Sequence, residues 1–279
     1  MVINSYSKIN LSLNINGKLK NGLHEIQSYY CLINLSDKIK ISKYKKKKDN
    51  ILFKGLFAKH VKKSNNTILV LLRLLRKLKL ISSFYSVSII KNIPVFSGLG
   101  GGTSNAAFIL KFLLKRKIIS KNIFNKIENK IGSDLSLFFY NQGFLESLQN
   151  IKELKKKQKL FFLLSHPNIN CSTREIYSKV RKYSKKSKFI SYKINTKKKF
   201  IRHILKNKNE LQSIVEKKYP IIRRLIKDIS EEKGCYFSRM SGSGSVCYGL
   251  FNNESAAKNA LNKIKTKYPK FWFSIAKTV

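Results

Sequence analysis

Hydrophobic and polar residues alternate along the first fifteen positions of the chain. A period of two is typical of a β-strand with one buried face, so the pattern predicts a single strand over residues 2–15. The apolar side of this strand consists of Ile9, Leu11, Leu13 and Ile15, and the polar side of Lys8, Asn10, Ser12 and Asn14. The same period places Lys8 and Asn10 next to each other on the polar face.

Further strands and helices follow from the same reasoning over the next 125 residues. Strands are predicted over residues 26–35, 37–44 and 84–94 and in the apolar segment 135–139. A helix is predicted over 66–80 with Asn65 or Asn66 as its N-cap. A second helix is entered through Thr103 and Ser104, and a third covers 120–131.

A lysine-rich polar bridge over residues 150–158 separates this part from the rest of the chain. Beyond it the pattern predicts a strand over 159–165, lysine-rich helices through 172–218 and a helix over 221–233. A hairpin over 235–251, a helix over 254–267 and a strand over 271–277 follow. Since strands and helices mix without strict alternation, the fold class is predicted to be α+β.

The net charge of +44 is the most unusual feature of the composition. Only nine of the 58 basic residues are arginines, and the lysines are spread over the whole chain of 279 residues. Phosphate and base recognition favours arginine, so the charge indicates a solvated lysine surface rather than a specific nucleic-acid site. The four cysteines and four histidines lack the spacing of a metal site. No signal peptide or membrane span is predicted, so a cytoplasmic protein is expected.

Four glycines within five residues, in the segment GLGGGTS over residues 98–104, indicate that another group approaches the backbone closely. The segment lacks the Lys-Ser or Lys-Thr pair of a Walker A loop, and its spacing does not fit the dinucleotide fingerprint. Consecutive glycines before a helix bring backbone N–H groups and the positive helix end together. The segment therefore predicts an anion site to which Thr103 and Ser104 add hydroxyl groups.

Two further segments contain candidate functional residues. The loop SGSGS, Ser241 to Ser245, lies between two apolar strands, where a hairpin turn explains it equally well. Together with the first loop it suggests two backbone clamps on one phosphorylated ligand. Asp134, which ends the segment GSD, is a candidate base or metal ligand, although an ordinary turn also uses aspartate.

The order of these segments resembles the GHMP kinase superfamily. Lys-x-Asn in the first strand, the glycine loop, GSD and MSGSGS occur in the family's order over nearly the whole chain. The segments SKINLSLNI and NGLHEIQS are similar, more narrowly, to the kinases that phosphorylate 4-diphosphocytidyl-2-C-methyl-D-erythritol in isoprenoid precursor biosynthesis. The resemblance implies a two-domain α+β fold with a ribosomal-S5-like domain over residues 1–152 and a ferredoxin-like domain over 153–279. It also implies ATP in the cleft between them, with Mg²⁺.

The resemblance assigns residues to three groups. The implied catalytic residues are Asp134, which accepts the proton of the 2-hydroxyl group, and Lys8, which keeps Asp134 ionised and stabilises the moving phosphoryl group. The implied ATP-binding residues are Pro94, Gly98, Leu99, Gly100, Gly101, Gly102, Thr103 and Ser104, with Asn66 and Lys91 near the adenosine. The implied substrate-binding residues are Asn10, His24, Thr173 and Tyr177, and no protein metal ligand is assigned.

Four features depart from the family pattern. Leu23 replaces an aromatic residue before His24, Phe96 is bulky where the family often has a small residue, and Ser136 stands where proline is usual. The segment ESLQN, from Glu146 with Ser147, lacks two glycines that are common there. Other readings stay open, namely another GHMP kinase acting on homoserine or mevalonate, a basic nucleic-acid-binding protein, or an inactive relative. The expected partners are the small-molecule substrate and ATP, with no specific nucleic acid, no membrane, and a monomer or weak homodimer.

Overall fold

The structure is a computed structural model that describes residues 2–62, 64, 66–119, 124–148, 150–189, 194 and 196–279. These residues form eleven strands and eight α-helices. The strands are β1 (Val2–Asn10), β2 (Asn14–Lys18), β3 (His24–Tyr44), β4 (Asn50–Lys54), β5 (Phe84–Ile90), β6 (Gln142–Ser147), β7 (Asn150–Glu153), β8 (Phe161–His166), β9 (Cys235–Met240), β10 (Cys247–Phe251) and β11 (Trp272–Lys277). The helices are α1 (Thr67–Lys77), α2 (Gly101–Lys115), α3 (Phe124–Ile131), α4 (Thr173–Ser178), α5 (Lys197–Leu205), α6 (Gln212–Lys218), α7 (Pro220–Ser230) and α8 (Glu254–Lys267).

The chain divides into two compact units that share strands β1 and β3. Unit 1 comprises the chain up to Ser7, Leu35–Val95 and Gly100–Phe139, and unit 2 comprises Lys8–Asn34, Phe96–Leu99 and Tyr140–Val279. The α+β class predicted from the sequence is confirmed. The predicted domain boundary at residue 152 stays a prediction.

In unit 1, strand β5 lies between β4, to which it is parallel, and the second half of β3, to which it is antiparallel. Helices α1 and α2 pack against each other, and α1 also contacts α3. The buried face of α1 consists of Ile68, Leu71, Leu72, Leu74 and Leu75. Asn66 caps this helix, as predicted, because its side chain accepts a hydrogen bond from Leu69 N–H at 3.0 Å.

In unit 2, the first half of β3 pairs with β2 and β6, and β6 continues into a hairpin with β7. The second sheet has the strand order β11-β8-β10-β9. Helix α7 packs on β9 and β10, and α8 packs on β8 and β11. This order, with helices between β8 and β9 and between β10 and β11, is the ferredoxin-like arrangement that the family resemblance implied.

Several predicted boundaries in the N-terminal half are wrong. The strand predicted over residues 2–15 is interrupted after Asn10, because the N–H groups of Leu11 and Ser12 both bond to the carbonyl of Tyr29. Its polar face is not open to solvent either, since Lys8 and Asn10 are both buried.

The strands predicted over 26–35 and 37–44 form one continuous strand, β3. The Asp37 side chain within it is satisfied by the N–H groups of Asn92 and Ile93, at 2.8 and 2.9 Å, so a polar residue at this point does not end the strand. Those bonds hold the chain after Ile90, where β5 ends, before the predicted stop at Pro94.

The remaining differences concern the glycine loop and the segment after Asp134. Helix α2 begins at Gly101 rather than at Thr103. The apolar segment predicted as a strand is a 3₁₀ turn, Ser136–Phe139, because Leu137 N–H bonds to the carbonyl of Asp134. Strands β4 and β6 were not predicted, and the expected polar bridge begins with strand β7. Asn65 and the predicted start of the third helix, residues 120–123, lie outside the described residues.

Most C-terminal elements agree with the prediction, but residues 179–189, which were expected to belong to the lysine-rich helices, form no helix. The hairpin of β9 and β10 and the final strand lie where the pattern placed them, and α8 has the predicted bounds. The cysteines are free thiols, of which Cys31, Cys171 and Cys247 are buried, as expected of small apolar residues. Within the described part of the chain, no helix is long and apolar enough to cross a membrane.

Candidate active site

The glycine loop prepares the N-terminus of helix α2 for an anion. Gly100 is the N-cap of α2 in the left-handed conformation, with φ of 70°, and Gly101 and Gly102 form the first turn. A Cβ atom on Gly102 would meet its nearest neighbour, Thr67 Oγ1, only at 3.5 Å, so the surface of this turn is bare backbone. The first N–H groups of a helix have no carbonyl partner within the helix, and the helix dipole makes this end positive. This end of α2 therefore suits a phosphate group.

In unit 2, the start of the glycine loop packs directly against the second glycine loop. Gly98, with φ of 75°, lies so close to Ser241 that a Cβ atom on Gly98 would be 2.0 Å from the Ser241 carbonyl oxygen. The Ser241 hydroxyl donates to the Gly98 carbonyl at 3.1 Å, and Val246 N–H donates to the Ser97 carbonyl at 3.1 Å. The structure thus brings together the two loops that the sequence suggested as clamps. That both hold one phosphorylated ligand stays a prediction.

A buried ion pair of unit 1 lies next to the start of α2. The Lys91 ammonium group bonds to Asp37 Oδ2 at 2.6 Å and to the Ile93 carbonyl at 2.9 Å, and both charged side chains are buried. A Cβ atom on Gly101 would be 3.0 Å from Lys91 Nζ, so this ammonium group lies directly under the first turn of α2. Burial lowers the pKa of Lys91, and the Asp37 carboxylate opposes that effect. The predicted role of Lys91 near the adenosine is not tested by this arrangement.

The two hydroxyl residues of the loop lie in different environments. Ser104 is fully buried, and its hydroxyl bonds to Ser5 Oγ at 2.7 Å and to the Tyr6 carbonyl at 2.5 Å, which joins α2 to β1. Thr103 is half-buried and packs against Gly132, where a Cβ atom would be 3.0 Å from Thr103 Oγ1. The helix start in unit 1 is therefore adjacent to the segment that leads to Asp134.

Asp134 is half-buried and stands at the start of the 3₁₀ turn Ser136–Phe139. Its backbone is fixed from both sides, because Leu135 N–H bonds to the Gly132 carbonyl and Leu137 N–H to the Asp134 carbonyl. Ser136, where the family usually has proline, uses its N–H group to donate to Glu128 Oε1 at 3.3 Å. The departure at this position therefore adds a hydrogen bond that proline could not make.

Lys8 lies in unit 2, at the point where β1 meets the glycine loop. Its N–H group donates to the Leu99 carbonyl at 3.1 Å, and its ammonium group donates to Asn10 Oδ1. The Asn10 Nδ2 group donates in turn to Ser28 Oγ at 2.8 Å. Sequence reasoning paired Lys8 with Asn10 and missed Ser28, because strand alternation does not reveal which neighbouring strand supplies the next partner.

An aromatic cluster surrounds His24 in the same unit. The His24 and Tyr177 rings are 5.1 Å apart between centroids, and the Tyr183 ring is 6.3 Å from His24. Partial burial, followed by the charge of Lys18, lowers the pKa of His24 below 6.5. Thr173 lies at the start of the helix that carries Tyr177, and its hydroxyl is 2.9 Å from the Ser243 hydroxyl of the second glycine loop.

Tyr183 was not identified from the sequence, because it stands among lysines in a segment without a motif. Hydrogen bonds from the following residues fix this segment on unit 2. Ser184 N–H donates to the Ile15 carbonyl at 2.8 Å, and Ser187 N–H donates to Gln27 Oε1 at 2.8 Å. The segment thereby holds an exposed tyrosine ring beside His24.

Both halves of the chain match family models. Residues 61–141 match the GHMP kinases N terminal domain and residues 196–270 match GHMP kinases C terminal. Helix α2 with its glycine loop lies in the first matched segment, and the second glycine loop lies in the other.

Curated relatives align over nearly the full length. A protein of Pelagibacter ubique (strain HTCC1062) named 4-diphosphocytidyl-2-C-methyl-D-erythritol kinase is 39% identical over 282 residues, which cover 99% of this chain and 98% of its own. A protein of the same name from Wolbachia pipientis wMel is 29% identical over 274 residues, which cover 95% and 94%.

Solved structures with the same fold include kinases of different alcohols. A crystal structure of 4-(cytidine 5'-diphospho)-2C-methyl-D-erythritol kinase superposes with a TM-score of 0.77 at 19% identity over 100% of both chains. Homoserine kinase from Cytophaga hutchinsonii superposes with a TM-score of 0.67 at 15% identity, over 100% of this chain and 93% of its own. At these identities the similarity concerns the fold alone.

Proposed function

The chain belongs to the 4-diphosphocytidyl-2-C-methyl-D-erythritol kinase family of the GHMP kinases, and on this premise we propose the reaction that it catalyses. It transfers the γ-phosphate of ATP to the 2-hydroxyl group of 4-diphosphocytidyl-2-C-methyl-D-erythritol, which gives the 2-phosphate and ADP in isoprenoid precursor biosynthesis. The observation that carries this conclusion is the 39% identity to a kinase of that name over 99% of the chain.

The geometry of the glycine loop supports ATP as the phosphoryl donor. Phosphate oxygens would accept hydrogen bonds from the bare backbone of Gly101 and Gly102, at the positive end of α2. The left-handed conformation of Gly100 turns the chain into that helix. The Thr67 hydroxyl donates a hydrogen bond to the Gly102 carbonyl at 2.8 Å, which holds the first turn in place. Phosphoryl transfer depends mainly on positioning and on neutralising charge, and a rigid helix terminus provides both.

Asp134 is the proposed general base. Its carboxylate takes the proton of the 2-hydroxyl group while the hydroxyl oxygen forms a bond to the γ-phosphorus atom. The bond from that phosphorus atom to the bridging oxygen breaks, and ADP leaves with the bonding electrons. Lys8 contributes a positive charge for the oxygen atoms of the transferred group.

The aromatic cluster around His24 is the proposed cytidine site. The imidazole is neutral near pH 7 because its pKa is lowered, so it offers one donor and one acceptor to the polar edge of cytosine. Tyr177 and the newly identified Tyr183 provide faces on which the base can stack. Thr173 and Asn10 are proposed on the side of the diphosphate and the alcohol.

Mg²⁺ is the proposed metal ion, and an oxygen donor of unit 1 fits it. Among the described residues, no group of three or more His, Cys, Asp or Glu side chains could hold a metal ion. The Thr103 hydroxyl is an oxygen donor of the kind that Mg²⁺ accepts when phosphates and water complete its shell. When bound with ATP, the ion neutralises charge on the phosphates.

The test is ADP release by the purified protein with Mg-ATP and each of three alcohols, 4-diphosphocytidyl-2-C-methyl-D-erythritol, homoserine and mevalonate. We expect turnover with the first alone, a fall of at least about 100-fold in kcat for Asp134→Asn, and wild-type turnover for the matched control Asp228→Asn. Asp228 is half-buried in unit 2 and bonds to Lys267 at 2.7 Å and to the Tyr268 hydroxyl, so its substitution changes the same atoms away from the loops. Turnover with homoserine or mevalonate instead would overturn the proposed substrate.

A further inference from the structure

We propose that Ser28 is a positioning residue for Lys8, because its hydroxyl group decides which end of the Asn10 carboxamide faces the Lys8 ammonium group. The inference rests on the proposed function, since it concerns the ammonium group that the reaction uses. Ser28 lies on β3, whereas Lys8 and Asn10 lie on β1. All three side chains are buried, with 0%, 4% and 3% of their surface exposed, respectively.

The direction of the hydrogen bonds at Ser28 carries the argument. The Ser28 hydroxyl donates to the Ser12 carbonyl at 2.6 Å. A serine hydroxyl has a single hydrogen, so once it is donated the oxygen can only accept from other neighbours. The neighbour on that side is the Asn10 carboxamide, 2.8 Å away. Asn10 must therefore present its NH₂ group, and not its oxygen, to Ser28.

This orientation leaves Asn10 Oδ1 for Lys8. The Lys8 ammonium group donates to Asn10 Oδ1, and an ammonium group has donors only. If the carboxamide turned over, two groups of donors would face each other at Lys8, and two acceptors would face each other at Ser28. The hydroxyl of Ser28 thus reinforces the orientation in which Asn10 Oδ1 accepts from the Lys8 ammonium group.

The other contacts of Asn10 fix its backbone, so the turning over of the side-chain carboxamide is the main movement left to this residue. Its N–H group donates to Ser241 Oγ at 3.2 Å, and its carbonyl accepts from the Tyr248 hydroxyl at 3.2 Å, so the backbone is held independently of Ser28. A Cβ atom on Gly242 would be 3.2 Å from Asn10 Oδ1, so the second glycine loop bounds the carboxamide on this side. None of these three contacts distinguishes the two ends of the carboxamide.

A purely structural role for Ser28 makes a different prediction. If the hydroxyl only satisfies a buried amide, its loss lowers stability and leaves the catalysed step unchanged. If it positions Lys8, its loss lowers kcat and leaves the KM values for ATP and the alcohol nearly unchanged, because the ammonium group acts on the charge that develops during transfer.

The experiment measures kcat, both KM values and thermal stability for Ser28→Ala, Ser28→Thr and the control Ser238→Ala. Ser238 also donates to a backbone carbonyl, that of Tyr248 at 3.0 Å, and lies on β9. We expect kcat of Ser28→Ala to fall at least about ten-fold, as for the loss of a hydrogen bond to a charged group, with both KM values within two-fold. Ser28→Thr, which keeps the hydroxyl, should be within two-fold of the wild type, as should Ser238→Ala.

The proposal is overturned if folded Ser28→Ala keeps its kcat within two-fold of the wild type, or if Ser28→Thr is as slow as the alanine variant. An equal loss of kcat in Ser238→Ala also overturns it, because the effect would then be general. If Ser28→Ala does not fold, Ser28→Cys is judged by the same criteria, since it keeps a side chain of the same shape, although a larger one, and is a weak acceptor.

A measurement without substrates separates this proposal from the proposed function. The side-chain amide signals of Asn10 are recorded by NMR in the wild type and in Ser28→Ala. We expect slow hydrogen exchange of the Asn10 NH₂ group in the wild type and at least about ten-fold faster exchange in the variant, as a lost hydrogen bond implies. Unchanged exchange overturns the positioning role, whereas a wild-type protein inactive on every alcohol overturns only the proposed function.

Discussion

Gly98 lies against the carbonyl oxygen of Ser241 so closely that a Cβ atom on Gly98 would be 2.0 Å from it. The φ angle of 75° at Gly98 independently disfavours any side chain. This contact joins two glycine loops that lie far apart in the sequence. It shows that the first glycine of the motif is required by its protein neighbour, whatever the following glycines bind.

Gly98→Ala should therefore destabilise the protein as well as inactivate it. The added methyl group must displace backbone atoms, and overpacking alone typically costs about 1–3 kcal/mol. Urea denaturation measures the loss in the free energy of unfolding. The matched control is Gly102→Ala, whose Cβ atom would meet its nearest neighbour at 3.5 Å inside a helix. Its stability should be equal or higher by about 0.5–1 kcal/mol, and equal stability of the two variants would contradict the prediction.

The buried pair of Lys91 and Asp37 should be required for the fold of unit 1. Lys91→Met removes the cation from a carboxylate that is fully buried, and breaking such a pair typically costs about 3–5 kcal/mol. The double variant Lys91→Met with Asp37→Asn should recover part of this loss, because no unpaired charge remains. The control Lys258→Met removes an exposed pair with Glu254 at 2.9 Å and should cost less than about 1 kcal/mol. Equal losses from Lys91→Met and Lys258→Met would refute the argument.

The sequence predicts best the elements whose boundaries are set by neighbouring residues. Helix α8 has its predicted bounds because Asn253 caps it by accepting from Ala256 N–H at 2.8 Å, and a turn follows its last residue. The hairpin of β9 and β10 is similarly local, since two apolar runs flank one glycine loop. Strand β3 was predicted as two strands because the bonds that satisfy Asp37 come from residues 54 to 56 positions away.

In the candidate site too, features formed by neighbouring residues were predicted, and features that depend on distant residues were not. The glycine loop is visible in the sequence because its residues are consecutive, and the order of motifs identifies Lys8 and Asp134 through the family resemblance. Ser28, Asp37 and Tyr183 were not predicted. Their significance depends on partners from other strands and loops, and a serine or tyrosine alone carries no pattern.

Binding of the cytidylyl substrate should weaken only at acidic pH. Burial, followed by the charge of Lys18, lowers the pKa of His24, so the folded protein protonates this ring below the ordinary value of 6.5. The KM for the cytidylyl alcohol, relative to that for ATP, should be constant from about pH 8 to 6.5 and rise below it, where the imidazolium loses its acceptor. Substituting Lys18→Glu should move this rise to higher pH, because a negative charge favours the imidazolium.

An NMR titration of His24 checks the same prediction directly. The control is Lys20→Glu, which makes the same change of charge at an exposed lysine two residues further along the chain. It should leave the titration nearly unchanged. A His24 pKa above 6.5 in the wild type would contradict the expected sign.

Tyr183 should contribute to substrate affinity although no motif identifies it. Tyr183 is 48% exposed, and its ring centroid lies 6.3 Å from that of His24, so a base bound at His24 would cover it. Stacking on an aromatic side chain contributes about 1–3 kcal/mol per base, so Tyr183→Ala should raise the KM for the cytidylyl alcohol about ten-fold and leave the KM for ATP unchanged.

Tyr183→Phe should behave as the wild type, and so should Tyr236→Ala, which removes a similarly exposed tyrosine from β9. Inhibition by cytidine monophosphate should weaken in parallel, because the nucleotide carries the same base. If Tyr183→Ala changes neither the KM nor this inhibition, cytosine does not stack on Tyr183, and Tyr177 is left as the stacking partner beside His24.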